Sequence, residues 1–102
     1  MSRAKTALTN VLNIVSEETD VAVSEIMGKY GETETVDARW ICVKLLRNLG
    51  YYPMRIGELM HITPRYVQYI LTDFEDRIDL NTVMRNDYER AKKRLRNLCE
   101  II

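Results

Sequence analysis

The segment His61-Ile62-Thr63-Pro64-Arg65-Tyr66-Val67-Gln68-Tyr69-Ile70 (HITPRYVQYI) contains the clearest helix start in the chain. A threonine at an N-cap accepts hydrogen bonds from the free amides of the first turn, and proline has the fixed φ that suits the first helical position. The sequence therefore predicts a helix from residue 64 to about residue 74. A short helix over Pro53–Met60 is predicted before it, again with proline in the first turn, and a tight turn at His61-Ile62 joins the two.

The predicted helix over residues 64–74 has two different faces. At 100° per residue its inward face holds Val67, Ile70, Leu71 and Phe74. Its outward face holds Arg65, Gln68, Tyr69 and Thr72, with Tyr66 on the flank. A guanidinium can donate to guanine, an amide can pair with adenine and a phenol can reach a phosphate, so this face suits contact with duplex DNA. The alternative is an ordinary solvated helix surface.

The rest of the chain also has helical patterns. A first helix over about residues 4–18 is predicted by apolar spacing at Leu8, Val11, Leu12 and Val15. A short helix is predicted within residues 23–30, and a long central helix over residues 36–49, capped by Thr35 and closed by Gly50. After an acidic stretch at residues 73–79, a last helix begins at about Thr82. No segment predicts a strand, so the class is all-α, with one domain over residues 1–102.

The last helix carries an apolar stripe at heptad-like spacing. Its members are Met84, Tyr88, Ala91, Leu95, Leu98 and Ile102. We expect this stripe to close over the core of the domain, and the alternative is a homodimer or partner contact through Tyr88, Leu95 and Leu98.

Charge is distributed unevenly although 15 basic and 15 acidic residues cancel over the 102 residues. Residues 39–72 hold five basic residues against Glu58 alone, a net charge of +4, whereas residues 1–38 have a net charge of −4. The five basic residues are Arg39, Lys44, Arg47, Arg55 and Arg65. A second basic cluster occupies residues 90–96, where it could follow the DNA backbone. Cations around the helix over residues 64–74 are what phosphate contact requires.

Several classes of protein are disfavoured by the sequence. No apolar run approaches the ~20 residues of a membrane span, and the N-terminus lacks the apolar core of a signal peptide, so we expect a cytoplasmic protein. Cys42 lies in an apolar run far from Cys99, which predicts a buried thiol rather than a disulfide. His61 is the only histidine, which gives a zinc site little support, and we expect it to cap the preceding helix or contact phosphate. No nucleophile pattern or phosphate loop is present, so we expect neither an enzyme nor a cofactor.

Three segments resemble a known family. They are residues 38–49 (ARWICVKLLRNL), residues 55–59 (RIGEL) and residues 87–95 (DYERAKKRL). Together they are similar to the C-terminal duplex-binding domain of the bacterial replication initiator DnaA, over most of residues 20–98. The resemblance implies a Trp-repressor-like helical cluster with a helix-turn-helix, and a bacterial or phage origin. Gly57 is the most specific match, because a glycine inside a helix usually marks close packing.

The chain departs from that family at its signature. The turn and the helix that follows it have MHITPRYV at residues 60–67, one residue shorter than the family motif and with only the closing valine kept. Of the family's two arginines at the start of the long helix, Arg39 is kept and Asp37 replaces the other, where a carboxylate would repel phosphate. The resemblance thus implies a duplex-binding scaffold without recognition of the initiator's own DNA site.

Two hypotheses follow. The first is a small helix-turn-helix protein that binds double-stranded DNA in replication, transcription control or mobile-element biology. Arg65 would read bases, with Tyr66, Gln68 and Tyr69 assisting and Thr63 orienting the helix, while the backbone would be held by Arg39, Lys44, Arg47 and Arg55. The second is a protein-interaction adaptor that kept the scaffold and lost DNA binding. Zero net charge, Asp37 and the altered signature motivate the second.

Overall fold

Six α-helices occupy residues 2–101, which are the residues that this computed structural model describes, with side chains for residues 2–98. They are α1 (Arg3–Thr19), α2 (Val23–Ile26), α3 (Thr33–Asn48), α4 (Pro53–Met60), α5 (Pro64–Asp79) and α6 (Thr82–Ile101). No strand occurs among these residues, and the predicted all-α class is confirmed. The helices pack into a body of 34 × 26 × 23 Å.

Helix α3 is the centre of the core. It contacts all five of the other helices, and its Cys42, Leu45 and Leu46 are completely buried. An apolar face this broad fits a helix surrounded by partners rather than one lying on a surface. The predicted central position of the long helix is therefore confirmed.

The two ends of α3 differ in how well the sequence predicted them. Thr35 is not the N-cap, because α3 begins one turn earlier after Glu32; the buried Thr35 hydroxyl donates instead to Glu25 Oε2 at 3.4 Å. At the other end Gly50 adopts φ +105°, and the N–H of Tyr51 donates to the carbonyl of Leu46 at 3.2 Å. This is the glycine-closed helix end that the sequence predicted.

Helix α5 is longer than predicted. It continues through residues 73–79 to Asp79, where the acidic stretch was expected to be a connection. Phe74 and Ile78, four residues apart, are buried, while Glu75, Asp76 and Asp79 are exposed. The charge run is thus the solvated face of an amphipathic helix, and burial of Ile78 provides the reason for the extra turn.

The apolar stripe on α6 closes over the core, as the sequence analysis expected. Met84, Tyr88, Ala91 and Leu95 are buried and Leu98 is partly buried, while Ile102 lies outside the described residues. The alternative of a dimer seam through Tyr88 and Leu95 is wrong for those two residues, since each side chain is already 95% covered within its own chain. The Tyr88 hydroxyl also accepts a hydrogen bond from Asn48 Nδ2 at 2.9 Å.

Candidate nucleic-acid interface

A three-residue turn, His61 to Thr63, joins α4 to α5. His61 ends α4 in the left-handed region at φ 60°, its backbone N–H donating to the Gly57 carbonyl. Thr63 is the N-cap of α5, its Oγ1 accepting from the N–H of Tyr66 at 3.1 Å, and Pro64 fills the first position. The predicted start of this helix is confirmed at both residues.

Gly57 lets the turn lie directly against α4. A Cβ atom built at residue 57 would be 2.6 Å from the Ile62 carbonyl oxygen and 3.3 Å from the Pro64 nitrogen. The close packing inferred from this glycine is therefore present, and its neighbour is the backbone of the turn. This contact fixes the position of α5 relative to α4.

The N-terminal half of α5 presents one face to solvent. Val67 and Ile70 are completely buried, whereas Arg65, Gln68 and Thr72 are exposed. Tyr69 is 54% exposed despite its aromatic ring. The division of this helix into two faces is as predicted, with Leu71 only half-buried on the inner side.

Two tyrosines on this surface are held by Trp40 of α3. Trp40 Nε1 donates to the Tyr66 hydroxyl at 3.4 Å, and Tyr69 meets the Trp40 ring edge to face at a centroid distance of 5.7 Å. The rings of Tyr66 and Tyr69 are nearly parallel, with centroids 6.4 Å apart. Tyr66 is half-buried, and its hydroxyl is bonded to Trp40 within the chain whether or not it also contacts an outside partner.

Trp40 is in turn covered by an ion-paired arginine. The Arg77 guanidinium lies 4.6 Å from the Trp40 ring centroid and donates from Nε and Nη2 to Asp37 Oδ1 at 2.8 and 2.7 Å. Asn81 Nδ2 donates to the other oxygen of Asp37 at 3.2 Å. The expectation that Asp37 repels phosphate is therefore wrong, because both of its oxygens are already bonded and the side chain is only 13% exposed.

Arg39 does not belong to the surface. It is 2% exposed, and its guanidinium donates to the backbone carbonyls of Ile26, Glu25 and Tyr30 at 2.8, 3.0 and 3.2 Å. The predicted contact of Arg39 with the DNA backbone is wrong, since the side chain points inward. It fastens the end of α2 and the following loop to α3.

The other three predicted backbone-binding cations lie at or near the surface with local partners. Lys44 pairs with Glu75 at 3.7 Å, and Arg55 pairs with Glu58 at 3.4 Å. Arg47 lies over the ring of Tyr52 at 5.0 Å and makes no ion pair within residues 2–98. Such exposed pairs are weak and exchangeable, so these residues keep their capacity to contact phosphate. Arg65 is exposed and likewise has no ion pair among the described side chains.

The second basic cluster is largely engaged with α1. Arg90 and Arg94 both bond Glu18, and Arg94 also bonds Glu17. The hydrogen bond from Arg90 is the main reason that the pKa of Glu18 is lower than usual, with Arg94 adding to the effect against the opposing influence of burial. These arginines clamp α6 to α1, so they are not free to track a DNA backbone.

Cys42 is a buried free thiol, as predicted. Burial raises its pKa far above the ordinary value, with the nearby charge of Arg39 opposing the shift only in part. The thiol is therefore protonated and unreactive at neutral pH. The side chain of Cys99 lies outside the described residues.

Sequence reasoning missed the group around Trp40. Asp37 was expected to repel phosphate, yet it holds Arg77 over the buried Trp40, which contacts the two tyrosines of α5. Asp37 and Trp40 lie three residues apart on α3, and Arg77 and Asn81 lie four residues apart across the end of α5. Such spacings put both members of a pair on one side of a helix, which is a weak signal of a shared contact.

Comparison with models of protein families and with curated proteins finds no match. Within the described residues no helix combines the length and apolarity that crossing a membrane requires. No three His, Cys, Asp or Glu side chains among those residues lie close enough together to hold a metal ion.

Proposed function

We propose that this protein binds double-stranded DNA through α4, the turn and α5, with the N-terminal half of α5 in the major groove. The observation that carries the proposal is the exposed row of Arg65, Gln68 and Tyr69 opposite the completely buried Val67 and Ile70. These three side chains offer a guanidinium, an amide and a phenol in one row along the helix, a combination suited to base edges and phosphates.

The charge along α5 favours one orientation on DNA. The N-terminal half carries Arg65 and the positive end of the helix dipole, which attracts phosphate. The C-terminal half carries Asp73, Glu75, Asp76 and Asp79 against Arg77. Since phosphates are repelled from that half, α5 enters the groove by its first turns, as recognition helices commonly do.

Each predicted residue then has a role that its surroundings permit. Arg65 reads bases, and Gln68 and Tyr69 assist it. Thr63 orients the helix through its cap. Tyr66 contributes mainly by positioning Tyr69, because its own hydroxyl is bonded to Trp40.

Backbone contacts come from the cations that reach the surface. Arg47 stacks on Tyr52, which is 70% exposed at the N-terminus of α4, so the pair can present a guanidinium to a phosphate beside the groove. Arg55 lies in the first turn of α4, whereas Lys44 stays out of this set because its partner Glu75 stands in the half of α5 that repels phosphate. This set replaces the one that included Arg39.

The resemblance to the DnaA duplex-binding domain supports the same mode of docking. Its elements are a long helix, a short helix containing Gly57, a turn and a recognition helix, in the order that α3, α4 and α5 follow. On that basis we place the protein in replication, transcription control or mobile-element biology, with a target site different from the initiator's because residues 60–67 differ from the family motif.

The experiment is fluorescence anisotropy of a labelled random-sequence duplex titrated with the protein at several salt concentrations. Contact with phosphates gives an affinity whose logarithm falls linearly with the logarithm of salt concentration, by about 0.9 per phosphate neutralised. Absence of binding at low salt would refute the proposal. Binding would justify selection of a specific site from random sequences.

A protein-interaction adaptor is the second candidate. It is favoured by the number of cations with internal partners: Arg39 is buried, and Lys44 and Arg55 are paired. In that case the exposed Tyr52, Met54 and Tyr69, which are 70%, 68% and 54% exposed, form the partner surface. The same titration separates the candidates, because an adaptor shows no salt-dependent affinity for duplex.

A further inference from the structure

Two surface features lie away from the first turn of α5, which carries Arg65. One is a cleft of about 590 Å³ formed by α3, α5 and α6. The other is the corner between α5 and α6, where Leu80 is 89% exposed and Val83 is 71% exposed. We propose that the corner of one copy of this chain docks into the cleft of the next, so that copies associate head to tail.

The cleft has an apolar floor and a basic rim. The floor is lined by Leu45, Leu49 and Leu95, of which only Leu49 offers exposed apolar surface, and the rim carries Lys44, Lys92 and Arg96. Leu49 is 37% exposed, so part of the floor is open to an incoming side chain. This combination suits an apolar residue accompanied by carboxylates.

The rim cations can change partners. Lys44 pairs with Glu75 at 3.7 Å and Lys92 with Glu89 at 3.3 Å, and the two glutamates are 66% and 55% exposed. Exposed pairs of this kind contribute little to stability. A carboxylate brought in by a second copy can therefore take the place of either glutamate at small cost.

The corner has the complementary chemistry. Leu80 and Val83 follow the exposed Asp76 and Asp79 in the last turn of α5. The cleft is lined by three cations against the single carboxylate of Glu75, a net charge of +2, whereas the corner has the two carboxylates of Asp76 and Asp79 beside it. Apolar side chains beside carboxylates match an exposed leucine among cations, which identifies a second copy of this chain as the occupant.

A copy cannot fill its own cleft with its own corner. Val83 and Lys92 are nine residues apart on the same helix, about 14 Å along its axis. Because the two surfaces differ, the contact is heterologous, and each added copy leaves one free corner and one free cleft. Arg65 and Gln68 take no part in this contact, so the association of copies is tested separately from DNA binding.

Sedimentation velocity over a concentration series, without DNA, tests this assembly. The wild-type chain is expected to increase in average mass with concentration. The corner variant Leu80→Asn/Val83→Asn and the cleft variant Lys92→Glu/Arg96→Glu are each expected to raise the dissociation constant by about tenfold or more, since each removes apolar burial or charge pairing from one side. Circular dichroism checks that both variants fold.

Matched controls and a mixing experiment make the test specific. Tyr30→Lys changes a side chain that is 86% exposed outside both surfaces and should associate like wild type. An equimolar mixture of the corner and cleft variants retains one intact contact, so it should form dimers and stop there. A wild-type chain that stays monomeric, a control that abolishes association, or a mixture that remains monomeric or grows past the dimer would overturn the proposal.

Discussion

The indole N–H of Trp40 donates to the hydroxyl of Tyr66 at 3.4 Å, which connects the central helix α3 to the first turn of α5. Trp40 is 3% exposed, so water offers its N–H little replacement. Tyr69 meets the same indole edge to face and is 54% exposed. Tyr66 therefore anchors the helix, whereas Tyr69 is available to the proposed DNA ligand.

Removing the two hydroxyls one at a time separates these roles. Tyr66→Phe leaves the buried indole N–H without its acceptor and should lower the free energy of unfolding by about 1–2 kcal/mol. Tyr69→Phe keeps the ring contacts and should leave stability within about 0.5 kcal/mol of wild type while weakening duplex binding. Chemical denaturation and anisotropy on both variants measure the two effects. The reverse pattern would contradict this division.

Arg65→Ala tests the base-reading role. The variant should lose about 1–3 kcal/mol of binding free energy on a selected specific site and much less on random duplex, because a bidentate contact to a base edge is lost. Arg85→Ala, an exposed arginine at the start of α6, is the matched control and should leave both affinities unchanged. An equal loss of affinity on both duplexes would show that Arg65 contacts phosphate rather than base edges.

The sequence predicted features that depend on local chemistry. The Thr63-Pro64 helix start, the bounds of α4 and the Gly50 closure each follow from one or two residues whose backbone preferences are strong. Burial of the α6 stripe followed from spacing alone.

Features that depend on distant partners were missed. Whether Arg39 points to solvent or to the carbonyls around α2 depends on where that short helix packs, which no local pattern contains. Asp37 likewise gains its partners from residues 40 and 44 positions away. The end of α5 was missed because the charged residues after Phe74 concealed a single further buried residue, Ile78, and tertiary burial outweighed the polar composition.

Arg39→Ala is expected to affect folding rather than DNA contact. It would remove a buried guanidinium and leave the carbonyls of Ile26 and Tyr30 without this donor, while the Glu25 carbonyl keeps the N–H of Gly28, so the free energy of unfolding should fall by about 2–4 kcal/mol. Arg85→Ala serves again as the exposed control. Urea titration of both variants measures the change. A nearly wild-type stability for Arg39→Ala, together with weaker binding to all duplexes, would show that Arg39 contacts the DNA backbone and does not hold the fold together.

The Glu18 clamp between α1 and α6 makes part of the stability dependent on pH. Hydrogen bonds from Arg90 and then Arg94 lower the pKa of Glu18 in the folded chain. Its contribution is therefore complete above the ordinary pKa of a glutamate, about 4.3, and is lost as the pH falls through the lower folded value.

Glu18→Gln isolates this contribution. The variant should unfold at a lower temperature than wild type at pH 7, by the small amount expected of a partly exposed ion pair, and the difference should shrink as the pH falls to about 2.5. Thermal unfolding followed by circular dichroism at both pH values measures it. Asp87 lies in the same network but its pKa is raised, mainly by burial, so its protonation favours the folded state as pH falls and cannot produce the same loss. A difference that is the same at both pH values would contradict the clamp.

Gly57→Ala sets two known effects against each other. Alanine is the better helix former by about 1 kcal/mol, so a free helix would gain from the change. In this chain the new Cβ would lie 2.6 Å from the Ile62 carbonyl oxygen, which is a backbone atom and cannot turn aside as the end of a flexible side chain could. The backbone of the turn would have to move, and we expect a net loss of about 1–3 kcal/mol in the free energy of unfolding.

The displaced turn should also disturb the proposed DNA interface, since it contains Thr63 and leads directly to Arg65. Duplex affinity should therefore fall for Gly57→Ala even at temperatures where the variant is fully folded. Glu58→Ala, at the adjacent exposed position, loses only a surface pair with Arg55 and should keep stability and affinity close to wild type. Denaturation and anisotropy on the two variants give the comparison, and a Gly57→Ala chain as stable as wild type would show that the turn is free to move away from α4.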